Sequence, residues 1–262
     1  MLSDRRVRFA VWVLFVALLL ARIHAAEDVV VMTSGAFTTA YLSLSEAYAK
    51  VTGDRFITAT TSMGVGRESI PSRLAAGEAV DIVIVAADAL EKLIADGRVV
   101  RGSRVDLARS SIALAVRRGA TRPDISSVDA LKRTFLSAAS VAISASVSGD
   151  YVSRELYPRL GIATEMRGKT HRIARERVGE VVARGDAELG VQQLSELKAV
   201  SGVDIVGLLP GDTQRVTIFS AGIATSAHHV AAARAFLAFL VSDNARDAIE
   251  RAGLEPLRGR SN

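Results

Sequence analysis

Cysteine is absent from the 262-residue sequence. Disulfide bonds, thiolate-bound zinc and a cysteine nucleophile are therefore excluded. Histidine is scarce, with four residues, and the single tryptophan lies at position 12. No Gly-x-Ser-x-Gly nucleophile motif occurs either. These absences remove several common catalytic and metal-binding arrangements, and we expect neither a metal ion nor a cofactor.

The first 26 residues have the pattern of a secretory signal peptide. Three arginines precede an apolar run over residues 9–21, and the small residues Ala25 and Ala26 follow. The apolar run is shorter than the ~20 residues that a bilayer span needs. We therefore predict that residues 1–26 are removed on export and that the mature protein resides in the periplasm.

Removal of this segment leaves a nearly balanced charge. Four of the 33 basic residues and one of the 28 acidic residues lie within 1–26, so 29 and 27 remain. This balance provides no basic surface of the kind that binds nucleic acid, and we expect no such partner. The remaining length suits one large or two small domains.

Short apolar runs alternate with helix-like segments along the chain. Val29–Met32, Phe56–Thr61 and Asp81–Val85 each predict a strand with a helix after it. A long strand is predicted at 110–116, and a second series begins after it. This β-α-β order predicts an α/β fold with two doubly wound lobes. We expect the last strand, at 216–223, and the helices after it to return to the first lobe.

Three predicted strand-to-helix turns are rich in small and hydroxyl residues. They contain Ser34 and Gly35, the loop that begins at Ser62, and the pair Ser148 and Gly149. In open α/β sheets, ligands bind beyond the carboxyl ends of strands, where helix N-termini offer free N–H groups to an anion. A single turn of this kind has the usual residue composition of turns. Three of them together favour an anion-binding cleft.

Two arginines lie beside these turns. Arg67 follows the second turn, and Arg175 precedes a helix in the second series. A guanidinium group forms paired hydrogen bonds with a carboxylate or an oxyanion. We therefore expect both side chains to contact the ligand.

The order of several segments resembles that of the molybdate-binding proteins of ABC transporters and other ModA-like solute-binding proteins. These segments are 29–40, 73–84, 189–197 and 217–240. The resemblance implies a type II periplasmic binding protein fold, in which two lobes close on one ligand about a two-strand hinge. The implied limits are 27–112 with 220–262 for lobe 1, and 113–219 for lobe 2.

The resemblance also implies a ligand site. Molybdate binders hold their oxyanion with two serine hydroxyls, backbone amides and a tyrosine. Here Ala36 takes the place of the first serine and Gln193 that of the tyrosine. The complete implied set is Ser34, Gly35, Ala36, Ser62, Arg67, Ser148, Gly149, Arg175 and Gln193. Loss of a serine and the tyrosine, with two arginines gained, fits a multicarboxylate such as citrate or aconitate as well as an oxyanion.

These observations predict a monomeric solute-binding protein, and not an enzyme, that delivers a small anion to the permease of an ABC importer in the inner membrane. One alternative is a protein of the same fold that reports the ligand to a receptor. Another is an exported hydrolase or isomerase. That enzyme would need an acid and a base in the cleft, for which Glu68 and Asp150 are the candidates.

Overall fold

A computed structural model describes residues 26–59 and 66–257. The predicted signal peptide and Ser62 lie outside these residues. Within the described part, no helix is both long and apolar enough to cross a membrane.

The first lobe is built around a mixed sheet in which β1 is parallel to both its neighbours. β1 lies between β2 and β3, β9 pairs antiparallel with β3, and the first half of β4 pairs antiparallel with β9. A short last strand, β10, pairs with β4. The bounds are β1 Asp28–Thr33, β2 Arg55–Ala59, β3 Ile82–Ala86, β4 Val105–Arg117, β9 Val216–Ile223 and β10 Glu255–Pro256.

The second lobe is built around the second half of β4. This half pairs antiparallel with β7 and β8, while β5 lies parallel to β7 and to the outer strand β6. The bounds are β5 Val141–Ser144, β6 Thr170–Ile173, β7 Leu189–Gln193 and β8 Val203–Leu208.

Helices cover both faces of each sheet. Those of the first lobe are α1 Gly35–Thr52, α2 Ile70–Ala75, α3 Ala87–Ala95, α10 Val230–Leu240 and α11 Arg246–Arg251. Those of the second lobe are α4 Val128–Ser137, α5 Val147–Tyr151, α6 Tyr157–Leu160, α7 Ala163–Met166, α8 Val178–Arg184 and α9 Leu194–Lys198, with a π-helical turn at Val152–Leu156.

Each sheet carries an apolar cluster on either face, which explains the continuous apolar strands. In the first lobe, Phe37 of α1 and Phe236 of α10 pack on one face, and Ile70 and Leu90 lie on the other. All five residues of β3 are buried, as expected for a strand covered on both sides. The second lobe repeats this arrangement with two further clusters.

The chain passes between the lobes along β4 and β9, which pair at the crossing. Ser110 lies opposite Thr217, and two residues later Ile112 pairs with Gln193 of β7 instead. At this change of partner, the side chain of Gln214 accepts a hydrogen bond from the N–H of Ile112 and donates one to its carbonyl, at 2.8 and 2.9 Å. The predicted fold class, two doubly wound lobes joined by two strands, is confirmed; the exact lobe limits stay a prediction.

Several predicted elements differ from the observed ones. The strand predicted at 110–116 begins earlier, at Val105, because β4 also serves the first sheet. The strand β6 was not predicted, because the exposed polar residues His171 and Arg172 interrupt its apolar pattern. A strand at the edge of a sheet needs fewer buried side chains than a central one.

A buried carboxylate ties the strands of the first lobe to its later helix. Asp81 accepts hydrogen bonds from the backbone N–H groups of Val30, His228 and His229, at 2.8–2.9 Å. Burial by itself would raise the pKa of Asp81, but these hydrogen bonds and one from the His229 ring lower the pKa below its ordinary value. The ionised form of Asp81 therefore stabilises the fold.

Replacement of this carboxylate tests its contribution. We expect Asp81→Asn to lower the free energy of unfolding by about 2–4 kcal/mol at pH 7, because hydrogen bonds to a charged group contribute ~1.5–3 kcal/mol each. A folded-state pKa below the unfolded value means that this stabilisation is present at neutral pH. It is lost as the pH falls through the lowered pKa. Urea unfolding at pH 7 and pH 3 measures the difference, which should shrink at pH 3. The exposed Asp88→Asn is the control, and equal losses in both variants would contradict the interpretation.

Candidate functional site

A cleft of about 1080 Å³ lies between the two lobes. Its walls are the carboxyl ends of β1 and β3 in the first lobe and of β5 and β7 in the second. This is the place at which open α/β sheets bind ligands, because the helices that follow the strands begin there.

The structure brings most of the predicted site residues together in this cleft. Those that line it are Ser34, Gly35, Ala36, Arg67, Ser148, Arg175 and Gln193. Gly149 is not among the lining residues, and its N–H donates to the hydroxyl of Ser144 at 3.3 Å. That the predicted site residues contact a ligand stays a prediction.

The N-terminus of α1 opens into the cleft. Ser34 has extended backbone angles in the N-cap position, but its buried hydroxyl forms no hydrogen bond within the described residues. The first turn of α1 contains no acidic residue. An 18-residue helix thus presents its positive end and a free hydroxyl donor to the cleft.

The turn after β5 forms the opposite wall. The hydroxyl of Ser144 lies 3.0 Å from that of Ser148 and 2.9 Å from that of Ser146. A Cβ atom on Gly149 would lie 2.7 Å from the carbonyl carbon of Ser144, so only glycine fits this turn. The serine hydroxyls are thereby held close together at the second-lobe side of the cleft.

Three arginines line the cleft. Arg67 belongs to the first lobe, while Arg175 and Arg177 precede α8 in the second. Within residues 26–59 and 66–257, no acidic side chain forms an ion pair with any of the three. Three unpaired guanidinium groups thus give the cleft donors for several carboxylate oxygens at once.

Two glutamines form part of the cleft floor. Gln193 donates from its Nε2 to the hydroxyl of Thr217 at 3.2 Å, next to the crossing of β4 and β9. The Oε1 atoms of Gln192 and Gln193 are buried and have no hydrogen-bond partner among the described residues. A hydroxyl, a water molecule or a protonated carboxyl would satisfy these acceptors.

Four glutamates also line the cleft, and their environments differ. Glu176 pairs with Arg184 at 2.6 Å, and Glu180 accepts a hydrogen bond from the N–H of Arg177. Glu68 is exposed. Glu196 lies on α9 with its carboxyl against Gly35, and burial raises the pKa of Glu196 to about 7, while the positive charge of Arg177 acts in the opposite direction.

Glu196 was missed by the sequence analysis. The acidic candidates weighed there were Glu68 and Asp150, but Asp150 pairs with Arg172 at 2.6 Å and does not line the cleft. The available signal was position: Glu196 stands in the first turn of the helix that follows the buried strand β7. A pKa near 7 allows this carboxyl to accept and to return a proton at neutral pH.

Metal-ligating side chains do not gather in the described part of the chain. Within residues 26–59 and 66–257, no group of three or more His, Asp or Glu side chains is arranged to hold a metal ion. The chemistry that the cleft residues themselves supply is therefore hydrogen bonding, positive charge and one carboxyl that can carry a proton.

Two lobes on two crossing strands, with anion donors from both, define a solute-binding protein. The chain belongs to the bacterial extracellular solute-binding protein family, whose model matches residues 29–255. The fold is that of the type II periplasmic binding proteins.

Solved structures support this fold. The periplasmic molybdate-binding protein of Azotobacter vinelandii superposes with a TM-score of 0.70 at 20% identity, over 86% of this chain and 98% of that one. The substrate-binding domain of a putative molybdenum ABC transporter from Clostridium difficile gives 0.66 at 16% identity, over 89% and 100%. The predicted resemblance to molybdate-binding proteins is confirmed at the level of fold.

A much closer relative corrects the predicted activity. An aconitate isomerase from a Pseudomonas species is 48% identical over 247 residues, which cover 92% of this chain and 94% of that protein. The prediction that the chain is not an enzyme is therefore wrong. The acid and base groups considered in the sequence, Glu68 and Asp150, lie in or beside the three turns, and Glu196 was not among them.

Replacement of Glu196 tests its burial. A folded-state pKa above the ordinary value means that the carboxyl costs stability once it is ionised, so the cost grows as the pH rises from about 4.5 through 7. We expect Glu196→Gln to raise the free energy of unfolding by about 1–3 kcal/mol at pH 8 and to change it little at pH 4. Thermal unfolding at both pH values measures this, with Glu68→Gln as the exposed control. A gain that does not depend on pH would contradict the raised pKa.

Proposed function

We propose that this protein is an exported isomerase that binds aconitate, a tricarboxylate, between its lobes and moves a proton within it. The observation that carries the proposal is the position of Glu196, whose carboxyl lies in the cleft against Gly35 at the start of α1, where burial raises its pKa to about 7. A site that transfers a proton requires such a group.

The charge of the cleft supports a tricarboxylate as substrate. Arg67, Arg175 and Arg177 supply three positive charges, and no acidic side chain of the described residues forms an ion pair with them, although the charge of Arg177 acts on the nearby Glu196. Aconitate carries three carboxylates at neutral pH. The hydroxyl of Ser34 and the N-terminus of α1 add neutral donors. This donor set fits three planar anionic groups better than it fits one compact oxyanion.

The proposed reaction is an allylic proton shift. Aconitate has a double bond between its central carbon and one terminal CH group, and a CH₂ group on the other side. A base removes a proton from the CH₂ group, and the released electron pair forms a new double bond to the central carbon. The electrons of the old double bond take up a proton at the former CH carbon. The product is again aconitate, with cis or trans geometry according to how the chain is held, and no other reactant is consumed.

Glu196 is the proposed proton carrier. As a carboxylate it accepts the proton from the CH₂ group, and as a carboxylic acid it returns a proton to the other carbon. Because its pKa is near neutrality, neither step is strongly uphill for the carboxyl. Negative charge that develops on the substrate spreads onto carboxylates held by the arginines, which stabilises it electrostatically.

Delivery of the same anion to a membrane permease is a second candidate function. The family match and the shared fold with a molybdate-binding protein support it. The pattern of residues 1–26 supports export to the periplasm, where such delivery would begin. Uptake of labelled aconitate by cells that lack the gene, compared with cells that carry the wild-type or the Glu196→Gln form, separates transport from isomerisation.

Isomerisation itself is measured with mature protein that starts at Glu27, by following cis- and trans-aconitate by proton NMR. We expect interconversion of the two isomers, and a loss of at least about 100-fold in kcat for Glu196→Gln with binding retained. Since the ionised carboxyl is required, kcat/KM should fall about tenfold per pH unit below pH 7. Glu68→Gln should remain active. Tight binding of aconitate without interconversion would reject the enzyme and leave the capture function.

The arginines are tested separately. We expect Arg67→Ala, Arg175→Ala and Arg177→Ala each to raise the KM for aconitate at least about tenfold, because each removes a charge-assisted hydrogen bond of ~1.5–3 kcal/mol. The exposed Arg118→Ala, outside the cleft, is the control. An unchanged KM in any one variant would remove that arginine from the substrate site.

A further inference from the structure

We infer that Gly35 is a positioning residue, whose missing side chain leaves the space that holds the carboxyl of Glu196 against the first turn of α1. This inference rests on the proposed function, since it concerns the placement of the proposed proton carrier. The contact joins residues 161 positions apart in the sequence.

The geometry at Gly35 is unusually tight and involves one side chain. A Cβ atom on residue 35 would lie 3.0 Å from Cδ of Glu196 and closer still to Oε1. The three nearest atoms all belong to Glu196. Any residue other than glycine would therefore occupy the position of the carboxyl.

The backbone at Gly35 gives no other reason for glycine. Its φ is not among the positive values found at ten other glycines of the described chain. The space for the Glu196 carboxyl is thus the feature of this position that glycine alone provides.

The two partners come from different lobes. Glu196 lies on α9, which follows β7 of the second lobe, while Gly35 begins α1 of the first. α9 also packs against α1, and its Lys198 lies beside Gly253 near the chain end of the first lobe. The carboxyl is therefore held at the junction of the lobes, where a bound substrate would contact both.

The first turn of α1 suits a carboxyl as a neighbour. Ser34 does not cap the helix with its side chain, and no acidic residue follows in the first turn. Glu196 supplies a negative group from another part of the chain at this positive helix end. The nearby charge of Arg177 acts in the same direction on the ionised form.

Gly149 provides a contrast. There the blocking atoms belong to the backbone of Ser144, so an added methyl group would force the turn to rearrange. At Gly35 the blocking atoms are the end of a flexible side chain. A methyl group at position 35 should therefore displace the carboxyl by about 1 Å and leave the fold intact.

The test is Gly35→Ala. We expect kcat for aconitate isomerisation to fall about 10- to 100-fold, since a misplacement of ~1 Å can cost a factor of this size. KM and Tm should change little. Gly168→Ala is the matched control, because nothing lies within 4 Å of its added Cβ and its φ is not positive. Full kcat in Gly35→Ala would overturn the inference.

A double-mutant cycle separates positioning from a general structural effect. Glu196→Asp shortens the side chain by one CH₂ group, which withdraws the carboxyl from residue 35. We expect Glu196→Asp to lower kcat strongly in the wild-type background and much less in the Gly35→Ala background, because the shorter side chain makes room for the methyl group. Losses in kcat that simply multiply would mean that residue 35 acts independently of Glu196.

A readout without turnover keeps the two proposals distinct. The carboxyl of Glu196 can be followed by carbon NMR during a pH titration and identified by its absence in Glu196→Gln. In Gly35→Ala we expect the midpoint to fall from about 7 toward the ordinary value of 4.5, because the displaced carboxyl meets more water. If the wild-type protein does not isomerise aconitate, the proposed function fails while this shift still supports the contact. An unchanged midpoint rejects the contact even in an active enzyme.

Discussion

The pairing of β4 with β9 is the constraint on which the rest of the structure depends. β4 takes part in both sheets, and at Ile112 it exchanges β9 for β7 as its partner. Gln214 hydrogen-bonds both backbone groups of Ile112 at this exchange, and the N–H of Leu209 also donates to the Ile112 carbonyl. Gln193 and Phe219 reach the cleft floor from the strands on either side. The floor of the cleft thus includes β9, one of the two strands that join the lobes.

The cleft combines groups that favour anion binding with a group that opposes it. Helix N-termini, serine hydroxyls and three arginines favour anions, whereas an ionised Glu196 disfavours them. The conflict is reduced because burial brings the pKa of Glu196 to about 7, so that the carboxyl is neutral part of the time. In the proposed function, this one carboxyl separates a site that captures an anion from a site that can react with it.

The sequence predicted those features that depend on local pattern. The apolar runs at 29–32 and 81–85 predicted buried strands, and Ser34 and Arg67 were found because turns after such strands lie at a known place in α/β folds. Glu196 carries no local mark of its role, because its environment comes from Gly35 in the other lobe. The edge strand β6 was missed for a related reason: its exposed His171 and Arg172 resemble a loop when neighbouring strands are unknown.

The two crossing strands also have a consequence for the turnover rate of the proposed reaction. A cleft between lobes that share one pair of strands must open before product can escape. In the proposed isomerisation, substrate and product carry the same three carboxylates, so each arginine that lengthens the residence time of one lengthens that of the other. Such a protein would bind its substrate from dilute solution, but its turnover would be slower. Product escape, rather than the movement of the proton, is the step that stronger binding would slow.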